Sequence, residues 1–202
     1  MTESGSWPYG DYWRASRLRP ALAGGAAGLW SREAALLAVA GVLAACAVTF
    51  LPTPIRAPGH AILKATLPIV AGVALAPRLW AGSLCGAAAA ASTGLMLGLG
   101  LGNLQPAAVA ALLAIGPAID LAMRGAGRGG WTLYLRFALA GLAANLFAFA
   151  VRWGVAWLAL DGARLHTMQQ IGPGALASFA LCGLAAGLVS GVLCFRGAAP
   201  PE

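Results

Sequence analysis

Residues 34–51 read AALLAVAGVLAACAVTFL, eighteen consecutive residues without a charge. A second uncharged run, ALASFALCGLAAGLVSGVLCF, occupies residues 175–195. An α-helix of about 18 to 20 apolar residues is long enough to cross the hydrocarbon core of a bilayer. Neither run alternates polar with apolar residues, as the strands of a membrane barrel do. The two segments therefore predict membrane-spanning helices.

The rest of the chain has the composition of an integral membrane protein. Of its 202 residues, 60% are hydrophobic and only 9% are charged, which is too little charge to cover the surface of a soluble domain. Backbone polar groups in lipid must be satisfied within the protein, and a helix does this by itself. We therefore expect an all-α, polytopic membrane protein built as a six-transmembrane-helix bundle.

Prolines, glycines and charged residues divide the apolar sequence into six segments. The predicted spans are residues 31–51, 61–76, 79–101, 106–123, 131–160 and 173–195, and Ser31 is the expected N-cap of the first. They form a transmembrane domain of residues 31–196, which precedes a short C-terminal tail of residues 197–202. Residues 1–30 contain aromatic and basic side chains that suit a cytoplasmic or interfacial segment, and they fit a loosely ordered tail equally well.

The basic residues of the loops predict the orientation of the chain in the membrane. With the N-terminus in the cytoplasm, eight basic residues lie on the cytoplasmic side and four on or near the opposite side. Cytoplasmic loops carry an excess of Lys and Arg, so we expect both termini to be cytoplasmic and the membrane to be the cell (inner) membrane. The net charge of +7 does not indicate a nucleic-acid partner, because the arginines are spread over short loops next to the spans.

Small residues recur every four positions in two of the spans. Glycine or alanine occupies every fourth position from Gly82 to Gly102, and Gly183, Gly187 and Gly191 repeat the spacing in the last span. Such rows let a neighbouring helix approach closely. We expect both rows to be helix interfaces, including Gly94 and Gly98 in the third span.

No sequence motif for catalysis, nucleotide binding or metal binding is present. The chain contains no GxxxxGK[ST], HExxH, GxSxG or CxxC sequence. We therefore expect no enzymatic activity, no cofactor and no metal site. The four cysteines lie in apolar segments and are expected to be small buried side chains.

Varied polar residues concentrate in the loops and helix ends on the predicted outer side. His60 and Lys64 are four residues apart, so they share one face at the start of the second span. For Lys64, contact with a ligand and extension to the membrane surface are comparable alternatives. The predicted ligand-binding residues are His60, Lys64, Arg152, His166 and Gln170, which favour a small polar solute that is anionic or accepts hydrogen bonds.

Two polar residues within spans are expected to form contacts inside the protein. Asp120 lies one turn before Arg124, its expected partner. Asn145, in the middle of the fifth span, is expected to form a hydrogen bond between helices.

The six-helix pattern, with polar loops on one side, resembles the substrate-binding S components of energy-coupling-factor transporters. The segment Gly116-Pro117-Ala118-Ile119-Asp120-Leu121 is similar to the fourth helix of some members. The resemblance implies a solute site near the outer face, and a first helix whose small residues dock on a transmembrane coupling subunit that works with ATPase subunits. The pairs Ala34 and Ala38, or Ala40 and Ala44, would fill that docking role. The alternative is a non-transport membrane scaffold or assembly subunit that contacts protein partners.

Overall fold

The computed structural model describes residues 26–51, 58–76, 78, 80–101, 106–124, 131–158 and 172–195, and side chains from residue 32 onward. These residues form α-helices and no strand, which confirms the predicted all-α class. The helices are α1 (Ala26–Phe50), α2 (Ala61–Leu75), α3 (Ala81–Gly98), α4 (Pro106–Arg124), α5 (Trp131–Leu158) and α6 (Pro173–Phe195).

Five of the six helices in the described part of the chain are long and apolar enough to cross a membrane, so the chain is a multi-pass membrane protein. The exception is α2, whose 15 residues extend about 22 Å, against a hydrocarbon core of about 30 Å. Its side chains are nevertheless apolar apart from Lys64 and Thr66, and most of them are buried in the bundle.

The helices form a ring in the order α1, α3, α4, α5, α6 and α2, and α2 also contacts α3, α4 and α5 across it. The shortest helix is therefore the most central one. Successive helices run in opposite directions, which gives the bundle two ends. We call the end at which α2, α4 and α6 begin the histidine end, because it contains His60. The opposite end contains Asp120 and is called the aspartate end.

The α5–α6 interface confirms the predicted glycine row of the last span. A Cβ atom on Gly183 would lie 2.5 Å from the carbonyl oxygen of Gly141 on α5. One on Gly187 would come within 1.9 Å of the carbonyl oxygen of Phe137. Only glycine permits this backbone-to-backbone approach, so the two helices pack without intervening side chains.

The predicted row in α3 is an interface over only half its length. Gly82 and Gly86 lie against the backbone of α4, where their Cβ atoms would meet carbonyl oxygens of Gly116 and Leu112 at 2.5 and 2.8 Å. Gly94 and Gly98 have nothing within 4 Å, so the prediction was wrong for them. The reason is that α4 begins at Pro106, level with the middle of α3, and offers no described partner for the last turns.

The first helix also differs from the prediction. It begins at Ala26, so Ser31 lies inside the helix instead of capping it. Ala40 and Ala44 are buried, and Ala40 packs on Gly72 of α2. This pair therefore faces the bundle and is not available for docking on a coupling subunit, which leaves Ala34 and Ala38, both partly exposed.

The end of α3 has a simple backbone explanation. Gly100 adopts a left-handed conformation with φ of 72°. Its N–H donates to the carbonyl of Leu97, and the N–H of Leu101 donates to that of Met96. This Schellman arrangement terminates the helix at Gly98, three residues before the predicted end.

Candidate functional site

The start of α2 is held in place by side chains from α5 and α6. The amide nitrogen of Asn145 donates to the carbonyl oxygens of Gly59, at 3.2 Å, and of Phe179, at 2.6 Å. The hydroxyl of Ser178 donates to the carbonyl oxygen of Pro58 at 2.8 Å. The interhelical role predicted for Asn145 is confirmed, and the same side chain also fixes the backbone that leads into α2.

Gly59 is required at this contact. Its φ of 83° lies in the left-handed region, and an added Cβ would lie 2.9 Å from the ring of Phe179. A residue with a side chain would therefore meet both backbone strain and a steric clash.

These bonds place the start of α2 beside the middle of α5, while the ends of α1 and α3 lie close to the level of that start. Asn145 lies near the middle of α5, which continues for thirteen residues to Leu158, or about 20 Å toward the histidine end. We call residues 58–64 together with Asn145 the α2 step. It brings hydrogen-bonding backbone and side-chain groups to the side of α5, about 20 Å from the end of that helix.

The structure places His60 and Lys64 together at the α2 step, as their spacing predicted. His60 is the N-cap residue of α2 and is partly buried. The Lys64 ammonium donates to the carbonyl oxygen of Leu51, the residue that follows α1. Lys64 thus ties the end of α1 to the start of α2, and two of its three N–H donors remain for other groups.

Arg152 is the third candidate that the structure describes. It follows Asn145 by seven residues, or two helical turns, so both lie on the same side of α5, about 10 Å apart along its axis. Arg152 therefore lies above the α2 step on the histidine side, and it is partly buried. The remaining candidates, His166 and Gln170, lie outside the described residues.

At the aspartate end, Asp120 binds the start of α3. One carboxylate oxygen accepts from the Gly82 N–H at 2.8 Å, and the other accepts from the N–H and hydroxyl of Ser83 at 2.8 and 2.6 Å. The pairing predicted with Arg124 was wrong, since the Arg124 guanidinium lies over the ring of Trp80, 4.2 Å from its centre. A helix N-terminus attracts a carboxylate through its unpaired N–H groups and its dipole, and Asp120 can reach it because the α3–α4 contact is glycine-lined.

A second buried acid forms an ion pair at the aspartate end. Glu33 on α1 pairs with the side chain of Arg78, in the segment between α2 and α3. Both acids of the described residues, Glu33 and Asp120, thus lie at the aspartate end and are bonded. The described part of the histidine end contains basic side chains and no acid.

Sequence reasoning missed three hydroxyl groups near the histidine end. Ser178 anchors the start of α2, and Thr49 and Thr93 each bury a hydroxyl that has no partner among the described residues. Single hydroxyl residues in apolar spans are common, so no sequence signal separated these from others.

Within the described residues, no group of three His, Cys, Asp or Glu side chains is placed to hold a metal ion. The four cysteines are unpaired. The chain matches no known protein family, no curated protein and no solved structure.

Proposed function

We propose that this chain is the solute-binding membrane subunit of an importer, energised by separate ATPase and transmembrane coupling subunits in the cell inner membrane. The observation that carries the proposal is the α2 step. A solute site in a helical bundle needs a few convergent polar groups below the membrane surface, surrounded by apolar helices. The step supplies this arrangement beside α5, which extends about 20 Å beyond the start of α2.

The charges at the step favour a particular kind of solute. Lys64 lies at the step and Arg152 lies above it, while the described acids are at the other end of the bundle. An anionic solute, or one rich in hydrogen-bond acceptors, suits these groups better than a cation does. His60, Lys64 and Arg152 are the proposed contacts within the described residues, and His166 and Gln170 remain proposed contacts beyond them.

The proposed topology has six spans, with α2 as the sixth, and both termini in the cytoplasm. The eight-to-four distribution of basic residues supports it, and Arg136, in the second turn of α5, adds another positive charge at the aspartate end. In this orientation the histidine end faces outward, so the α2 step opens toward arriving solute.

Coupling to ATP has to come from other subunits, since the sequence contains no P-loop motif. The exposed face of α1 is the proposed contact for the coupling subunit. It carries Val39, Leu43 and Phe50, each 56% exposed, with Ala34 and Ala38 beside them.

Purification from native membranes in a mild detergent tests the partner part of the proposal. We expect an ATPase and a second membrane subunit to copurify with the tagged chain, and Val39→Trp with Leu43→Trp on α1 to release them. Matched tryptophans at Leu95 and Leu97 on α3, which are also exposed, should retain the partners. A chain that purifies without any ATPase would contradict the proposal.

Uptake measurements test the solute site. In cells with the partner subunits, His60→Ala and Lys64→Ala should reduce solute uptake at least tenfold while membrane insertion and thermal stability are retained. Unchanged uptake in the inserted, stable double variant would remove both residues from the site.

A membrane scaffold is the second candidate function. The observation that favours it is an exposed face of α3 with small residues at Ala87, Ala91, Gly94 and Gly98, which would let a partner helix lie close. Copurification of a membrane protein without an ATPase, lost on Gly94→Leu, would support this candidate over the importer.

A further inference from the structure

Thr93 on α3 is fully buried, and its hydroxyl has no hydrogen-bond partner within the described structure. Thr66 on α2 is equally buried, but its hydroxyl donates to the carbonyl oxygen of Ile62 at 2.7 Å. Such a bond to the preceding turn is the common solution for threonine in a membrane helix. Because buried polar groups are nearly always paired, the Thr93 hydroxyl calls for a partner from outside the described residues.

The contacts between α3 and α4 locate this hydroxyl. Gly86 lies against the carbonyl of Leu112, and Thr93 follows Gly86 by seven residues, which returns it to the same face two turns further along. Since α3 and α4 run in opposite directions, seven residues back from Leu112 lead to position 105, immediately before α4 begins at Pro106. Thr93 therefore lies on the α4-facing side of α3, level with the start of α4.

The contacts between α3 and α2 place Thr93 at the α2 step. The Cys85 sulfur lies beside Gly72, 3.1 Å from where its Cβ would be. Eight residues further along α3, Thr93 is level with Lys64, and α2 begins one turn beyond, at Ala61. The unpaired hydroxyl thus lies where two helices begin, and helix N-termini carry unpaired N–H groups and partial positive charge.

The aspartate end shows how this fold satisfies a buried helix start. There, the carboxylate of Asp120 accepts bonds from two backbone N–H groups and a hydroxyl, that of Ser83. The start of α2 has two of the same ingredients, because it presents the backbone N–H groups of a helix start and the Thr93 hydroxyl lies near its level. What the described part of the histidine end lacks is a carboxylate.

We infer that the solute supplies this carboxylate, and that Thr93 binds it. The Thr93 hydroxyl donates to one carboxylate oxygen, while N–H groups at the starts of α2 and α4 and the Lys64 ammonium complete the site. The inference rests on the proposed function and narrows it to the import of a carboxylic acid in its anionic form.

Binding to the purified chain in lipid nanodiscs tests the inference. The probes are linear and aromatic carboxylates of two to ten carbons, each paired with the primary amide of the same skeleton, which has the same shape but no charge. We expect at least one carboxylate to bind ten times more tightly than its amide. Thr93→Val should weaken the binding of that carboxylate about tenfold, because a hydrogen bond to a charged group is lost.

Two variants distinguish a binding role from a structural one. Thr66→Val removes a hydroxyl at the same depth that is already bonded, and should leave affinity unchanged. Thr93→Ser keeps the hydroxyl and should retain binding. Absence of carboxylate binding, equal binding of carboxylate and amide, or unchanged affinity in Thr93→Val would each overturn the inference. Partner-dependent uptake of an uncharged solute would overturn it as well, while leaving the proposed function intact.

Discussion

The α5–α6 interface makes the sharpest quantitative prediction, through the substitution Gly187→Ala. The added Cβ would lie 1.9 Å from the carbonyl oxygen of Phe137 and 2.9 Å from the Cα of Ala138. Carbon and oxygen atoms that are not bonded stay more than 3 Å apart, so the two backbones have to separate by at least about 1 Å. Neither contact is with a flexible side-chain end, so the helices themselves must move.

The expected cost follows from overpacking measurements in protein cores. Forcing an extra methyl group into a packed interior costs about 1–3 kcal/mol, and direct contact with the backbone of α5 places this site at the upper limit. A loss of about 3 kcal/mol lowers the melting temperature of a chain of this size by roughly 6–12 °C. The size of the effect is set by the distance between the backbones and not by lost apolar contact.

Thermal unfolding of the purified protein in detergent, followed by tryptophan fluorescence, measures this effect. Gly94→Ala is the matched control, because nothing lies within 4 Å of its added Cβ in a helix of the same bundle. We expect the control to melt within about 2 °C of the unsubstituted protein. If Gly187→Ala also melted there, the close backbone approach of α5 and α6 would be refuted.

Four further substitutions test the two ends of the bundle. Asp120→Asn turns one carboxylate oxygen into a donor that faces the donors of Ser83, so we expect thermal melts to show a loss of about 2–3 kcal/mol in stability. Arg124→Gln removes only the stacking on Trp80 and should lower stability by under about 1 kcal/mol. Equal melting temperatures of the two variants would contradict the bonding of Asp120 to the start of α3. Asn145→Leu should speed amide hydrogen exchange of residues 58–64 at least tenfold, as measured by mass spectrometry, and exchange as slow as in the unsubstituted chain would show that Asn145 does not hold the start of α2. Gly59→Ala should lower stability by about 2 kcal/mol through its positive φ and the clash with Phe179, and an unchanged melting temperature would refute that conformation.

The sequence was sufficient for the fold class and for most helix boundaries, because both depend on local properties. Uncharged runs long enough to cross a bilayer predicted helices, and α6 begins and ends at the predicted residues, Pro173 and Phe195. The start of α1 was missed because Ser31 suits an N-cap, whereas the helix begins at Ala26 and continues through Gly28 and Ser31. Whether α2 counts as a sixth span stays a prediction.

The details of packing depend on which parts of neighbouring helices lie side by side. The spacing of residues in the sequence does not reveal this. Gly86 and Gly94 belong to one regular row, yet only Gly86 has α4 beside it. Likewise, Asp120 had a suitable partner one turn away in Arg124, but the start of α3 offers it three hydrogen bonds. The donors of Gly82 and Ser83 occupy both carboxylate oxygens, and the Arg124 guanidinium stacks on Trp80 instead.

The candidate site was predicted in part. The positions of His60 and Lys64 on one helix face follow from helical periodicity alone, and the structure agrees. The roles of Asn145 and Ser178 at the start of α2 depend on how far each helix extends along its neighbours, which only the assembled bundle determines. The solute and the transport activity stay predictions.

The bonds of Asp120 also bear on the order in which the chain is assembled during synthesis. Ser83, at the start of α3, emerges from the ribosome 37 residues before Asp120, whose carboxylate accepts a hydrogen bond from the Ser83 N–H. Until α4 has followed, those N–H groups have to remain at the water-facing edge of the membrane, since unpaired backbone donors are costly in lipid. Asp120, in turn, is costly to insert in a lone helix but is fully bonded beside α3. We therefore expect α3 and α4 to enter the bilayer as one hairpin, with neither helix stable there before the other.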